Sequence, residues 1–590
     1  MRLTAPFVLL DDARPGGAAR LYRAPAGVIA AWRTGELADA LAEVRRGVAG
    51  GRHAAGFLSY EAGHAFEPRA GSPRDSRAPL AWFGLFDGFT EIADARALLP
   101  DPAGAWIGPP EPEVTRADYD AMIAEVQALI AAGDIYQANL TFRARVALAG
   151  DPLAVYAAVR DRAAAGWGAV VATGAATLLS FSPELFFRLE GRDLLCRPMK
   201  GTARRGRDAA QDAAAVAALR SDAKQRAENL MIVDLMRNDL ARVAVPGSVA
   251  VPQLFAVEHY PTVHQMTSTV IARLADGHDA IDALAALFPC GSITGAPKVR
   301  AMQVIAAIER GAARGPYTGA IGRIDAGGDA QFNVAIRTLV VHAGAGDAEM
   351  GLGGGIVADS TAAAEWDEAL AKGAFLTHDA RTFDLIETMA FDPVEGIALL
   401  ERHLARIRAS AAALGFSFDR HDARNELQAA TFRLRQPARV RLLAARSGRI
   451  AIEVGPAPAA PAGPLRVAIV PLPVDGGDFR LRHKTSDRAF YDEARRAAGT
   501  DEVVFVDADG FLTEGSFTSL FVTRGDRLVT PPLSRGLLPG VLRGDLIARG
   551  RAIEEDLTPR DLAGGFLLGN ALRGLMPAAV AVAKSATGPL

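Results

Sequence analysis

A few carboxylates, lysines and arginines stand in segments whose make-up suggests chemistry. Glu184 lies in SPELF (182–186), Glu228 in KQRAENLMIVDLMRNDLAR (224–242), and Glu365 and Glu368 in GLGGGIVADSTAAAEWDEALAK (351–372). Lys200 lies in RPMKGTARRG (197–206) and Arg337 in NVAIRT (333–338). Further on, Arg406 lies in an amphipathic run (399–416), Lys484 in HKTSDRAFYD (483–492) and Glu514 in VDADGFLTEGSFTSLFV (506–522). Glu365 and Glu368 are one helical turn apart and so share a face. Carboxylate oxygens suit Mg²⁺, which keeps several of its waters. The planar fork of arginine can hold both oxygens of a carboxylate. A lysine is a nucleophile only when neutral. At its ordinary pKa about 1 in 2,500 is neutral at pH 7, so a pocket must lower that value by several units. Taken singly, every one of these has an ordinary reading. Glu228 and the 365/368 pair read as solvated helix surface, Lys200 and Lys484 as surface lysines, Glu514 as a turn carboxylate, and His264 as a hydrogen-bonded structural histidine. The glycines at 353–355 are not a phosphate loop, since no Gly-Lys-Ser/Thr follows.

The elements that must position them can be read in outline. A chain of 590 residues is too long for one core and suggests roughly two to four domains. Half the residues are apolar, and the net charge of -3 gives no reason to expect nucleic acid or an anionic membrane, so an anionic substrate must be gripped locally. Two cysteines, Cys196 and Cys290, are too few for a disulfide framework or a four-cysteine zinc site and fit a reducing compartment. Without a secretion signal or an apolar run of about 18 residues, a cytoplasmic protein is expected. Apolar spacing predicts helices over 118–132, ending at Gly133, over 208–239 as one element, over 361–375 and over 399–416. Residues 185–189 and 338–341 read as strands, and 70–79 and 99–112 as loops. The polar run 377–381 marks the main boundary, giving regions 1–378 and 382–590. The Ala- and Pro-rich run 455–464 reads as a semi-rigid connector between two lobes of the second region.

Taken together and in order, GDIYQANLT (133–141), SPELF, RPMKGTARRG, the 224–242 run, PCGSITGAPK (289–298), YTGAIG (317–322), NVAIRT and the 351–372 run resemble the chorismate-binding enzymes. These are the anthranilate, aminodeoxychorismate, isochorismate and salicylate synthases. The resemblance is strong over 115–375 and weaker before, where GFLSYEAG (56–63) carries it. It implies a two-layered antiparallel β-sandwich flanked by helices, in an α/β (α+β) chain. It implies Mg²⁺ held by Glu228 and Glu368 with Glu365 alongside, and chorismate as substrate. Arg337 would take one carboxylate of chorismate, helped by Tyr317, Thr294, Lys372 and the N–H groups at Gly353 and Gly355. Glu184 matches the general acid, and His264 is counted with the catalytic groups. Two positions sort the members. Gln137 stands where the water-using members resemble one another in having lysine, which implies ammonia as the nucleophile. Lys200 stands where anthranilate synthases have alanine. In the aminodeoxychorismate branch this lysine attacks ring carbon C2 before ammonia enters at C4. One departure is Gln225, where the family often has glutamate.

From 382 onward FDLIETMAF (383–391), the 399–416 helix, HKTSDRAFYD, VDADGFLTEGSFTSLFV, TPPLSRGLLPGVLR (530–543) and LLGNALRGLMP (567–577) resemble the fold-type-IV pyridoxal-phosphate (PLP) enzymes. These include the branched-chain and D-amino-acid aminotransferases and aminodeoxychorismate lyase. The resemblance implies two α/β lobes, with Lys484 as the PLP-anchoring lysine and proton carrier. Glu514 would face the pyridinium nitrogen, Arg406 the phosphate, and N–H groups near Gly540-Val541 and Asn570-Ala571 would add donors. Ser519 departs from the asparagine the family often has there. Homodimers are implied, because the lobes share active-site walls across a two-fold axis.

The fusion itself favours a lyase for the second region, since the first would make what such a lyase consumes. The expected outcome is 4-aminobenzoate for folate. No glutamine amidotransferase segment is visible, so ammonia is expected from a separate glutaminase subunit or from free ammonium. Competing readings are an anthranilate synthase fused to an aminotransferase, and a degenerate module that binds a metabolite without catalysis.

Overall fold

Strands such as Gln137–Ala149 and Ala176–Ser182 are buried at nearly every position, although successive side chains point to opposite faces. Such strands must be covered on both sides. The computed structural model, which describes residues 3–259, 263–309, 313–378 and 381–581, covers them with a second sheet on one side and helices on the other. Its residues cluster into two compact units: Met1–Leu99, Pro109–Val146 and Tyr156–His378; and Pro100–Gly108, Ala147–Val155 and Asp379–Leu590.

In the first unit the described strands form two ten-stranded sheets. One runs through Gly295–Ala296, Gln137–Ala149, Asp347–Ile356, Thr338–His342 and Ala176–Ser182 to Phe7–Asp11 and beyond. The other runs through Met199–Arg204, Val263–Arg273, Asp193–Cys196, Leu185–Glu190, Ala330–Val334 and Ala320–Ile324 to His53–Leu58 and beyond. Val8, Tyr22 and Val171 from the first sheet meet Phe57, Trp82 and Ile321 from the second in one buried cluster. The helices Thr34–Ala49, Ala223–Ala241 and Ala280–Leu287 cover the outer face of the second sheet through Leu41, Ile232, Met236 and Leu284. This is the expected helix-flanked sandwich. The chain passes from one sheet to the other between Ser182 and Leu185, and Glu184 sits at that crossing. There the Ser182 hydroxyl donates to Val334 O at 2.6 Å.

Two expectations of detail change. The single helix over 208–239 is two, Ala209–Ser221 and Ala223–Ala241. Asp222 leaves helical geometry and its carboxylate accepts from Gln225 N, so an N-cap breaks a run that apolar spacing alone would continue. In the expected loop 99–112, Trp106–Pro112 is a strand, paired with only one neighbour on its sheet, a place that tolerates proline.

In the second unit a four-stranded sheet (Gly396–Ile397, Leu385–Asp392, Ala438–Ala444, Ile450–Pro456) packs helices Leu400–Ala413 and Arg420–Thr431 on one face. Met389, Leu404, Ile407, Leu427, Val440 and Leu442 form that core. Strand Ile450–Pro456 absorbs the start of the expected connector. A mixed eight-stranded sheet, from Leu512–Gly515 through Leu465–Pro471 to Ala552–Glu554, forms the other lobe. The lysine segment joins the lobes: Lys484 O accepts from Ile386 N at 2.9 Å, and Thr485 bridges Leu385. No described helix is long and apolar enough to cross a membrane.

Candidate active sites

The first site forms where strand Asp347–Ile356 runs beside Gln137–Ala149. Its glycines are needed. Gly353 has φ +154, and a Cβ there would stand 2.2 Å from Leu140 O. A Cβ on Gly355 would stand 2.8 Å from Gln137 Nε2 and 2.9 Å from Lys200 Nζ. The polar ends of Gln137 and Lys200 therefore meet over bare backbone. Gln137 is fully buried, and among the described residues neither its amide nitrogen nor its oxygen has a partner. An unpaired buried amide costs about 1–3 kcal/mol, which a polar ligand would recover.

Lys200 is carried by strand Met199–Arg204 and followed by Gly201 at φ +94. Burial pushes its amine below the usual lysine range. Lys372 pushes the same way, while Glu228, Glu184 and Glu368 pull it back. Glu184 is 4% exposed, and the Ser292 hydroxyl donates to its Oε1 at 2.8 Å. Burial pushes Glu184 up to about 7, against Ser292 and Lys200. A carboxyl near 7 can be protonated at neutral pH, as a general acid must be.

Helix Ala223–Ala241 presents Glu228, and helix Ala362–Ala371 presents Glu365 and Glu368. Glu228 makes no hydrogen bond among the described residues. Burial raises its carboxyl, Lys200 and Lys224 lower it, and Glu365 and Glu368 add to the rise. Glu365 accepts from the Ser360 hydroxyl at 2.6 Å. Glu368 pairs with Lys372 Nζ at 2.9 Å, and that ammonium also donates to Gly353 O at 2.8 Å. Among the described residues no three His, Cys, Asp or Glu side chains converge as a metal cage. The donor set nevertheless fits Mg²⁺: three like-charged carboxylates, one without a partner and one held by an ammonium that stands in for a cation. Gln225 Oε1 lies 3.0 Å from where a Cβ on Gly201 would stand, so the departure from glutamate places an amide beside the Lys200 strand.

The remaining expected residues lie as follows. Thr294 is buried, its hydroxyl donates to Cys290 O at 3.1 Å, and its carbonyl accepts from Asn139 N at 2.7 Å. Arg337 has φ +52, and its guanidinium lies 5.8 Å over the Phe375 ring. The Tyr317 ring fills the space a Cβ on Gly351 would take, and it lines a cavity of about 190 Å³ with Arg314 and Glu309. His264 is fully buried. Its Nε2 lies 2.9 Å from Asp212 Oδ1 and its Nδ1 2.7 Å from His259 Nδ1. It makes no hydrogen bond to Lys200, Glu184 or Glu228 among the described residues.

The second site is a cavity of about 440 Å³. Lys484, Glu514, Arg406, Gly540, Val541, Asn570 and Ala571 all line it. Burial lowers Lys484 to about 7, with Arg406, Arg488 and Arg441 helping and Glu387 opposing. Its Nζ lies 3.4 Å from Thr388 Oγ1. Glu514 is buried and pushed up to about 7, although the Tyr491 hydroxyl donates to it at 2.6 Å. Helix Val541–Ala548 starts at Gly540, where a Cβ would stand 2.5 Å from Ser519 Oγ. Asn570 Oδ1 accepts from Leu572 N at 3.0 Å and Arg573 N at 2.9 Å. An amine and a buried carboxyl facing one cavity, with a glycine-started helix on its wall, fit a cofactor that needs a lysine, a carboxylate and a phosphate cradle.

Arg406 is not free in that cradle. It grips Glu387 at 2.8 and 2.6 Å and donates to Pro539 O at 3.2 Å. Against the upward push of burial, Arg406 and His403 hold Glu387 at about 2. Sequence reasoning passed over Glu387, Thr388, Tyr491, Arg439, Arg441 and Arg488. The signal for Glu387 was a lone acid inside the apolar run FDLIETMAF, and Tyr491 stood in the Lys484 segment itself.

Residues 7–378 match the family described as chorismate binding enzyme, and residues 384–580 match amino-transferase class IV. Aminodeoxychorismate synthase component 1 of Salmonella typhimurium is 44% identical over 259 residues, 44% of this chain and 56% of that protein. Anthranilate synthase component 1 of Streptomyces coelicolor is 42% identical over 260 residues, 44% of this chain and 50% of that protein. The chain spans about half the length of these relatives. The crystal structure of anthranilate synthase component I from Streptococcus pneumoniae shares the fold, with a TM-score of 0.53 at 24% identity over 64% of this chain and 93% of that one. Near-equal identity to differently named relatives does not choose between them, and the choice falls to side chains such as Lys200. The chain belongs to the chorismate binding enzyme family over its first 378 residues and carries a region matching amino-transferase class IV behind it.

Proposed function

We propose that this chain makes 4-aminobenzoate from chorismate in two steps: amination at C4 with ammonia in the first unit, then loss of pyruvate in the second. The observation that carries the reading is the Lys200 amine against Gly355, beside a Gln137 amide unpartnered among the described residues, with Glu184, Glu228 and Glu368 acting on the amine electrostatically.

In the first step the neutral Lys200 amine attacks ring carbon C2. Both ring double bonds shift, to C1=C6 and C4=C5, the C4–O bond breaks, and Glu184 gives its proton to the departing hydroxyl, which leaves as water. Ammonia then bonds to C4, both double bonds shift back, the C2–nitrogen bond breaks to return Lys200 to its amine, and the extra proton on the new C4 nitrogen goes back to Glu184. Gln137 has no charge and abstracts no proton, which suits ammonia as the incoming group. Arg337 would take one substrate carboxylate, while Tyr317, Thr294 and Lys372 bound the space around the ring. Glu228, Glu365 and Glu368 would hold Mg²⁺, which supplies positive charge against the other carboxylate and draws electrons from the ring.

In the second step Lys484 would hold PLP and take the C4 proton, the C3–O bond would break, and the released enolpyruvyl methylene would gain a proton to leave as pyruvate. Glu514 would serve the cofactor's ring nitrogen, and the Gly540-Val541 and Asn570-Ala571 segments, which line the same cavity, would serve its phosphate. PLP supplies the electron sink that lets that proton leave. Ammonia would come from a separate glutamine amidotransferase subunit, and the second region would pair as a homodimer.

The test is product chromatography on full-length protein with chorismate, ammonium, Mg²⁺ and PLP. Both 4-aminobenzoate and pyruvate should form, and leaving out PLP should let the amino-chorismate intermediate accumulate. Formation of 2-aminobenzoate would overturn the first step. Conversion of the intermediate without pyruvate release would make the second region an aminotransferase.

A further inference from the structure

Seven arginines line the second cavity. Several of its arginines are already neutralised: Arg406 by Glu387, Arg480 by Asp478 at 2.6 Å, and Arg495 by Asp492 at 3.1 Å. Arg488 and Arg573 also line the cavity without an ion pair among the described residues, Arg488 donating to Ser516 O at 2.7 Å and Arg573 lying over the Phe517 ring; Arg439 and Arg441 line it too and differ in sharing one strand. Arg439 is exposed and has no ion pair or hydrogen bond among the described residues. Arg441 has one long contact, 3.4 Å, to the exposed Glu453.

The strand that carries them explains where they point. In Ala438–Ala444, Ala438, Val440, Leu442 and Ala444 are buried in the core of the smaller lobe. Arg439 and Arg441 therefore share the opposite face, about 7 Å apart along the strand. Across the sheet Arg441 pairs in register with Thr388, whose hydroxyl lies 3.4 Å from Lys484 Nζ. The two arginines thus extend outward from the reactive lysine along one sheet face.

We propose that Arg439 and Arg441 are the substrate-carboxylate clamp of the second site, and that this pair selects a ring substrate with two carboxylates over one with a single carboxylate. The proposal rests on the two-step reading above for the location of the chemistry. It deepens that reading by assigning substrate selection to two residues that the motif-based reading did not include. Each guanidinium can meet one carboxylate with two parallel hydrogen bonds. A one-carboxylate amino acid would leave one arginine unused.

The experiment uses the full-length protein loaded with PLP and two probes, isophthalate and benzoate. Binding is read by equilibrium dialysis and by the change in cofactor absorbance. The unmodified protein should hold isophthalate at least about 10-fold tighter than benzoate, the scale of one extra charge-assisted pair. In the Arg439→Gln/Arg441→Gln protein the two probes should bind alike, with PLP content unchanged, and Arg439→Lys/Arg441→Lys should recover part of the preference. Equal binding of the probes by the unmodified protein overturns the proposal, and that measurement needs no variant to fold. Selectivity that survives the double glutamine change also overturns it. So does loss of PLP from that variant, which would make these arginines holders of the cofactor phosphate. Arginine-dependent selectivity in a protein that makes no 4-aminobenzoate would leave the clamp standing and remove the two-step reading. The reverse result would do the opposite.

Discussion

Lys200 and Lys484 are both buried amines held below the ordinary lysine range, but their neighbours have opposite sign. Around Lys200, Glu228, Glu184 and Glu368 oppose the effect of burial, and Lys372 supports it. Around Lys484, Arg406, Arg488 and Arg441 support burial and Glu387 opposes it, and the amine reaches about 7. The same residue type is prepared in two ways. In the second unit the protein's own charges set the amine. In the first, the carboxylates that would hold a cation pull the lysine back toward its charged form against burial, a pull that a bound cation would weaken. The first site should therefore depend on metal for its nucleophile as well as for its substrate, and the second should not depend on metal at all.

The largest effect should come from removing the self-sufficient lysine. Lys484→Ala should lower pyruvate release by about 10³-fold or more, as loss of a covalent catalytic group does. The amino-chorismate intermediate should then accumulate at the unmodified rate. Chromatography with chorismate as the only carbon source reads both. Continued 4-aminobenzoate formation would show that another group anchors the cofactor. Lys200→Ala should cut the first step by about 10²–10³-fold while leaving conversion of supplied intermediate intact. A full rate of 4-aminobenzoate formation from chorismate in that variant would restore an anthranilate-type assignment. Chelation with EDTA should copy the Lys200→Ala pattern, stopping the first step and sparing the second. An equal loss of both steps would break the contrast in charge.

The contrast sharpens with pH. Glu514 must be ionised to pair with a protonated ring nitrogen, and its carboxyl sits at about 7, above the ordinary glutamate value. It is mostly protonated below that pH and ionised above it, so the second step should rise as pH increases through about 7. Tyr491 donates to the ionised form, and its loss raises the carboxyl further. Tyr491→Phe should move the rise to higher pH and lower the rate about 10-fold at pH 6.5 with little change at pH 9, the scale of one hydrogen bond to a charged group. Rate–pH profiles on supplied intermediate test this, and superimposable profiles would remove Tyr491 from the site.

How much of this was legible followed from what each feature depends on. Lys200, Glu228 and Lys484 could be found because each sits in a short local motif. Glu365 and Glu368 could be found because helical spacing fixes their common face. The break at Asp222 was missed because both flanking helices share one apolar rhythm and the cap is a single side chain. Arg439 and Arg441 were missed because alternate charged residues in a strand read as a solvent face. Only the register with Leu385–Asp392 shows that this face lines the cavity. The Arg406–Glu387 pair joins residues 19 positions apart in the chain, a helix and a neighbouring strand. The segments displayed Lys200 and Lys484, but the charges that tune them arrive through tertiary contact.

The smallest expected effect tests the metal side of the comparison most directly. Lys372 Nζ occupies Glu368 at 2.9 Å and is the main cause holding that carboxyl below its usual range. Glu368 is well exposed, so the pair is worth only about 0.2–1 kcal/mol. A cation approaching the carboxylates must displace this ammonium from one of them. Lys372→Met should therefore tighten Mg²⁺ binding in the absence of chorismate by only a few fold, roughly 1.4- to 5-fold for that energy. Titration calorimetry on full-length protein measures it. The same change removes a donor beside Gly353 and Gly354, so KM for chorismate should rise while the second step stays unchanged. Weaker Mg²⁺ binding in the variant would mean that Lys372 organises the carboxylates rather than competing for one. The first site would then be as pre-set by its own charges as the second, and the distinction between the two lysines would fall.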